Sequence, residues 1–300
     1  MIIDFEFITK KNNLINLPFF VYRKENIKFN KINKIYFLIR SYLITYLFKQ
    51  FNGKAFCFLL NFFYGKDGVI KYDKFNDYYI KKVKNKKIFF PNKYRLSGSM
   101  VNHDYELKNL LHSYCINNFE ISKDDLVVDC GANNGMFYIA LKKFLPEFKY
   151  IGFEPDDVSF KCLNLNLSDD TNTTLYDVAL SNNNQEKDLY ISSNFGDTSL
   201  EKFQSENIKV VKTEKLDNYE LNKIHLLKID AEGHELNVLK GAKSTLQNTK
   251  FICIDMGAEK GYENTNTVSE VMNFLLMNKF ELVNFNENRI TGLFLNKIYA

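Results

Sequence analysis

Leu126-Val127-Val128-Asp129-Cys130-Gly131-Ala132-Asn133-Asn134-Gly135 is an apolar run that ends in an acid, followed by a glycine-rich turn. The apolar run predicts a strand, and the periodic stretch Phe137 to Phe144 behind the turn predicts a helix. A strand, a glycine turn and a helix in this order make the corner at which open α/β sheets hold their ligands. The spacing is G-x-x-x-G and lacks one glycine of the dinucleotide pattern G-x-G-x-x-G. Asp129 just ahead of the turn would also repel a phosphate. The corner therefore suits a ligand that carries an amine or another cationic group.

The same rhythm runs outward in both directions. Tyr105 to Phe119 reads as a helix before the first strand. After the corner come strand 150–153, helix 156–167, a third strand over 174–180, and short strand-like pieces at 188–192 and 208–213. Strand 224–229, helix 234–247, strand 251–255, helix 267–278 and strands 280–285 and 293–295 complete the series. Strands alternating with helices predict an α/β fold whose mostly parallel sheet is covered on both faces by helices. Residues 101–300 are expected to form this domain, and residues 1–100 a basic, aromatic-rich, mainly helical N-terminal region.

Charge separates the two regions. Residues 1–120 hold 21 Lys/Arg against 9 Asp/Glu, net +12, whereas residues 121–300 hold 19 against 27, net −8. A basic front suggests a polyanionic neighbour, either an anionic acceptor or an anionic membrane face. Its densest cluster is Lys81-Lys82-Val83-Lys84-Asn85-Lys86-Lys87, and runs of this kind are usually solvated faces. Ile32, Ile35, Tyr36, Ile39, Leu43, Tyr46 and Leu47 share one helical face, read as a core-packing helix with a membrane-surface helix as the alternative. Five cysteines without a CxxC pair or a Cys/His cluster argue against a disulfide framework or a structural zinc site. No secretory signal and no spanning segment is evident, so a cytoplasmic protein, peripheral at most to the inner membrane face, is expected.

Two further segments carry chemistry. Glu154 ends the second strand, where an acid can accept from two ribose hydroxyls, and Pro155 stops the strand there. Leu226-Leu227-Lys228-Ile229-Asp230-Ala231-Glu232-Gly233-His234-Glu235 ends a strand in four acid/base groups within six residues. Acid, glycine turn and acid in successive corners describe a ligand with a cationic amino-acid part and a ribose, as in S-adenosylmethionine.

These pieces resemble the FkbM-type S-adenosylmethionine-dependent methyltransferases. The resemblance rests on Val127 to Gly135, Phe153-Glu154-Pro155 with Asn166, Val178-Ala179-Leu180 and Leu216-Asp217. It is completed by Leu227 to Glu235 and Val238-Leu239-Lys240-Gly241-Ala242. It covers about residues 104–296 and departs from the family's common turn at Cys130 and Asn134, keeping both glycines and the acid. It implies a Rossmann-like, seven-stranded class I methyltransferase sheet with its last strands antiparallel. It also implies methyl transfer, usually to a hydroxyl of a sugar or other natural-product acceptor. By motif match, Asp129, Gly131, Asn133 and Gly135 line the methionine end of the cofactor, Glu154 holds the ribose, and Asp177 to Leu180, including Ala179, border the adenine. Asp230, Glu232, His234 and Glu235 then face the acceptor.

Methyl transfer to an alcohol requires in-line alignment and removal of one proton. His234 is a candidate base by its side-chain chemistry and Asp230 by position, with Glu232 and Glu235 as orienting groups or helix-start acids. Related small-molecule O-methyltransferases use a divalent metal, for which Asp230 and Asp255 would serve; base-only chemistry is the first expectation. The leading reading is O-methylation of a saccharide in bacterial surface-glycan or natural-product synthesis, with no nucleic acid partner. An RNA methyltransferase and a non-catalytic, methyltransferase-like binding module are the alternatives.

Overall fold

In a computed structural model, residues 35, 39, 46, 50–64, 68–98, 103–116, 120–145, 147–191, 198–203, 205 and 207–299 are described. The chain divides into two compact units, Met1–Glu106 and Leu107–Ala300.

In the first unit, helix α1 (Gly53–Tyr64) precedes strands β1 (Val69–Asp73), β2 (Tyr78–Val83) and β3 (Lys86–Phe90), which pair in that order as an antiparallel sheet. Helix α2 (Lys93–Gly98) follows, and α3 (His103–Ser113) runs into the second unit. Strand alternation sends Ile70, Tyr79, Lys81, Ile88 and Phe90 inward, where they are buried with Phe56, Cys57 and Leu60 of α1. Asn61 clips helix to strand, donating to the Ile70 carbonyl and accepting from its amide. The region expected to be mainly helical thus contains a sheet, and the basic run is its β2–β3 hairpin. The apolar face expected over 32–47 lies largely outside the described residues; Ile35, Ile39 and Tyr46 are helical and exposed.

In the second unit, β4 (Leu126–Cys130), α4 (Met136–Phe144), β5 (Lys149–Phe153), α5 (Asp157–Leu167) and β6 (Thr173–Tyr176) form the first alternation. Next come β7 (Ala179–Leu180), β8 (Gln185–Ile191), β9 (Thr198–Ser199) and β10 (Asn207–Glu214). They are followed by β11 (Ile224–Ile229), α6 (Glu235–Lys240), β12 (Thr249–Asp255), β13 (Ala258–Lys260) and β14 (Thr265–Asn266). Helix α7 (Val268–Met277), β15 (Phe280–Asn286) and β16 (Thr291–Asn296) close the series. The main sheet has seven strands in the order β15-β16-β12-β11-β4-β5-β6. Only β16 reverses: it pairs antiparallel with both β12 and β15, so β15 runs with the parallel five. The antiparallel last strands expected from the sequence reduce to this one.

Alternate residues of the central strands face opposite cores. Val128, Leu227 and Ile252 pack with Val238 and Leu239 of α6 and Val271 and Leu275 of α7. Val127, Leu226 and Cys253 pack with Leu107 and Leu111 of α3, Phe137 and Leu141 of α4, and Leu163 of α5. Burial on both faces explains why these strands read as continuous apolar runs.

Two expected elements are interrupted. The third strand breaks after Tyr176, and β7 leaves the main sheet to pair with β10 in a second sheet ordered β7-β10-β8-β9. The helix expected over 234–247 stops at Lys240. Gly241 lies so close to the backbone of Ser181 that a Cβ there would stand 1.9 Å from the Ser181 carbonyl oxygen.

Candidate active site

The turn after β4 is held by its own backbone. The amides of Gly131 and Ala132 both donate to the Phe153 carbonyl at the end of β5, at 3.0 and 2.9 Å. Gly131 and Gly135 have φ of 76° and 81°, in the left-handed region that glycine enters without strain. At Gly131 space also forbids a side chain, because a Cβ would lie 2.0 Å from the Asp230 carbonyl oxygen. The backbone of Asp230 is therefore seated directly on the glycine turn. Asn166 from α5 donates to the Asn134 carbonyl at 2.7 Å and fixes the far side of the turn.

Glu154 is buried, and its carboxylate accepts from the Asn133 amide at 2.8 Å and the Asp156 amide at 2.9 Å. One acid thus joins the glycine turn to the start of α5, which Asp156 caps through Ser159. Each carboxylate oxygen thus takes one backbone amide. Of the other residues expected around the cofactor, Asp177 is exposed at the break after β6 and Ala179 is buried in β7.

Asp129 is engaged within the protein. Its side chain is fully buried: one oxygen lies 2.9 Å from the Lys228 ammonium and the other accepts from the Tyr150 hydroxyl at 2.6 Å. The cation that this acid faces belongs to the protein. Lys228 also donates to the Gly131 carbonyl at 2.8 Å, so the pair supports the turn from within. Burial pulls the Lys228 ammonium down, but the Asp129 and Asp230 carboxylates outweigh it and the net shift is upward. Burial raises Asp129 in turn, with Lys228 and Tyr150 offsetting part of the effect.

The four residues expected to face the acceptor divide. Asp230 accepts from the Tyr114 hydroxyl and, at 3.0 Å, from Arg289. The same guanidinium donates to Asp255 at 2.6 Å and to the Tyr114 hydroxyl at 2.8 Å. Arg289 therefore bridges Asp230 and Asp255, and the two carboxylates considered as metal ligands already share a protein cation. Glu232 adopts a left-handed φ of 50° before Gly233 at 97°. Asp230, Glu232 and Glu259 bring carboxylate oxygens within 4.8 Å of one another. Burial and this crowd of acids push Glu259 up to about 10, so it holds its proton at neutral pH.

Glu235 and His234 turn away from that cluster. Glu235 is buried and accepts from the Ala231 and Gly233 amides at 3.1 and 2.9 Å and from Thr267, which makes it the clip of its own turn. Burial pushes it up to about 7. His234 is buried with Nδ1 2.7 Å from Glu201 and Nε2 2.9 Å from the Ser181 hydroxyl. A carboxylate only accepts, so Nδ1 donates to Glu201, and Nε2 pairs with the Ser181 hydroxyl. Ser199, two residues before Glu201, donates to the Glu232 carbonyl at 2.6 Å. Segment 199–201 and His234 thus hold the acidic turn in its left-handed shape.

Lys228 was visible in the sequence only as a charge inside an apolar strand. Nothing in the sequence pointed to Tyr114, Arg289, Glu259 or Glu201, which come from distant segments.

Comparison with known proteins gives a consistent picture. Residues 129–282 match the family model described as the methyltransferase FkbM domain. The chain is 26% identical over 181 residues to 2-O-methyltransferase NoeI of Sinorhizobium fredii, covering 53% of this chain and 74% of that protein. It is 29% identical over 153 residues to hexuronic acid methyltransferase AglP of Haloferax volcanii, covering 46% of this chain and 59% of that protein. Among solved structures, methyltransferase FkbM from Methylobacillus flagellatus aligns with a TM-score of 0.43 at 17% identity, over 67% of this chain and 52% of that one. An rRNA methylase from Streptococcus thermophilus aligns with a TM-score of 0.38 at 15% identity, over 62% and 96%.

Proposed function

The chain belongs to the FkbM methyltransferase family, and from that premise we propose that it transfers a methyl group from S-adenosylmethionine to a hydroxyl of a saccharide. The observation that carries the reading is the contact of the Asp230 backbone with Gly131, which seats the strand end that bears the candidate acids on the glycine turn. The names of NoeI and AglP support a sugar acceptor.

The residues fit the cofactor by their chemistry: a buried carboxylate, an acceptor suited to ribose hydroxyls, is tied to the glycine turn. Bound there, S-adenosylmethionine supplies a methyl group already activated on a sulfonium. Glu154 accepts from the ribose hydroxyls, and the backbone from Gly131 to Gly135 shapes the methionine end. Asp129 acts through Lys228, as a support of that backbone. Asp177 and Ala179 mark the adenine side. On the acceptor side, Asp230 receives the hydroxyl proton, with Tyr114 and Arg289 fixing the carboxylate. Glu232 orients the acceptor, and Glu235 and His234 hold the turn.

Calorimetry with S-adenosylhomocysteine tests the cofactor half. Glu154→Ala should weaken binding by about 1–3 kcal/mol, the worth of a hydrogen bond to a charged group. Glu154→Gln, which keeps an acceptor for the Asn133 amide, should lose less. Equal affinity in all three proteins would remove the ribose from Glu154.

Labelled S-adenosylmethionine offered to free and nucleotide-linked sugars, uronic acids, RNA and protein tests the acceptor half. Label is expected in a sugar; label in RNA alone would replace the proposal. Turnover should survive EDTA, because Arg289 already supplies a positive charge between Asp230 and Asp255. Loss with EDTA and recovery with a divalent ion would reassign Asp230, Glu232 and Glu259 as ligands.

A further inference from the structure

The lysine-rich hairpin of the first unit plays no part in the site above. In the β2–β3 ladder Lys82 stands directly opposite Lys87. Lys82 also pairs with Val69 of β1, and Lys71 pairs with Ile80, two residues from Lys82, so Lys71, Lys82 and Lys87 share one face. Like charges directly opposite on a strand pair are destabilising in isolation. All three are exposed, as are Lys84 and Lys86 at the β2–β3 turn and Lys74 at the β1–β2 turn. Among the described residues, no carboxylate forms an ion pair with any of these six. Lys81, from the same run, is 1% exposed and faces the other way. The charge is therefore sorted to one side.

An apolar element accompanies it. Phe75, beside Lys74 at the tip of the β1–β2 turn, is 95% exposed, and Val69 on the lysine face is exposed as well. Strand β2 has six residues and spans about 20 Å, so the two turns mark the ends of a flat, extended surface. We infer that this hairpin face docks on an anionic lipid surface, with the lysines over the headgroups and Phe75 entering the interface. Charge complementarity argues for the occupant: six exposed lysines outnumber Asp73 and Asp77, which are engaged by Tyr72 and by turn amides, and with an aromatic at one edge they match an anionic bilayer. Single-stranded nucleic acid calls for open aromatic rings along the charged track itself; on this face Tyr78 is buried and Phe89 is half-buried with its ring edge-to-face against it.

The test is flotation of the full chain with vesicles of phosphatidylcholine, with and without about one-third phosphatidylglycerol. Binding is expected only to the anionic vesicles and should be released by about 0.5 M salt, where screening is strong. The variant Lys82→Glu, Lys84→Glu, Lys87→Glu should lose at least about a hundred-fold in partitioning, because each lysine near such a surface contributes several-fold. Phe75→Ala should weaken binding more modestly, with the salt dependence kept. Lys223→Glu, Lys243→Glu, Lys279→Glu, made on the second unit, should bind as the parent does. No binding to the anionic vesicles, equal loss in the control variant, or unchanged binding after hairpin reversal would each overturn the inference. So would lysine-dependent binding to single-stranded RNA with none to vesicles. The readout involves no cofactor, so its failure leaves the methyltransferase reading untouched.

Discussion

Lys228→Met should destabilise the protein by about 3–5 kcal/mol, the usual cost of removing one partner from a buried ion pair. Lys228 and Asp129 are 3% and 0% exposed by side chain and 2.9 Å apart. Methionine fills the space but leaves Asp129 with Tyr150 as its remaining hydrogen-bond donor. The Gly131 carbonyl loses a donor at the same time, so the cofactor turn should loosen. Asp129→Asn added to Lys228→Met should recover much of the loss, because the stranded charge is gone. Urea midpoints of both proteins measure this; a single-variant loss below about 1 kcal/mol would show that the pair does not hold the corner. The pH dependence has a definite sign. The folded-state pKa of Lys228 lies above its ordinary value, so its stabilisation is complete below about pH 10.4 and fades as pH rises through the folded value. The difference between parent and variant should therefore narrow in strongly alkaline solution, and also in acid, where protonation of Asp129 removes the stranded charge as Asp129→Asn does.

Asp230→Asn should lower kcat by roughly 10²–10⁴ on the acceptor found by labelling, with affinity for S-adenosylhomocysteine nearly unchanged. Of the four candidate groups on its segment, Asp230 has its backbone against Gly131, whereas the imidazole of His234 is engaged on both sides by Glu201 and Ser181. His234→Ala should lower the melting temperature and reduce kcat by no more than about ten-fold, a positioning effect rather than loss of the base. Asp255→Asn provides the control, since it weakens the hold of Arg289 while leaving the Asp230 carboxylate chemically intact, and should cost less in kcat than Asp230→Asn. If Asp230→Asn retains near-parent turnover while His234→Ala is inactive and still folded, the two roles are exchanged.

The parallel core was readable because its strands carry physics that needs no partner to interpret. Val127-Val128, Leu226-Leu227 and Ile252-Cys253 must be buried on both faces, and Gly131 and Gly135 must turn. Glu154 was readable for the same reason: an acid before a proline at a strand end has few places to point. Less legible was anything that depends on which cation meets which acid. Asp129 looked outward on paper because Lys228, one strand away at the same level, appears in the chain 99 residues later. Arg289 lies 59 residues beyond Asp230, and no local pattern links them. The break after Tyr176 was hidden because β7 keeps the strand's composition while taking β10 as its partner. The hairpin at 78–90 was masked by its lysines, whose density drew attention to charge and away from the alternation that buries Lys81.

The position of β16 has a consequence for how the protein comes into being. It follows every other strand of its sheet in the chain, yet it lies between β12 and β15 and, among the described residues, is the one strand that pairs with β15. Until residue 296 has been synthesised, the β12 edge stays open and β15 has nowhere to dock. Closure then pairs Asp255 with Thr291, 36 residues later, and strand edges stay exposed while the sheet waits for it. The hairpin that closes the sheet also delivers Arg289 to Asp230 and Asp255. A nascent chain thus has its glycine turn early and its completed acceptor side only at the end, so assembly of the sheet and assembly of the site are one event.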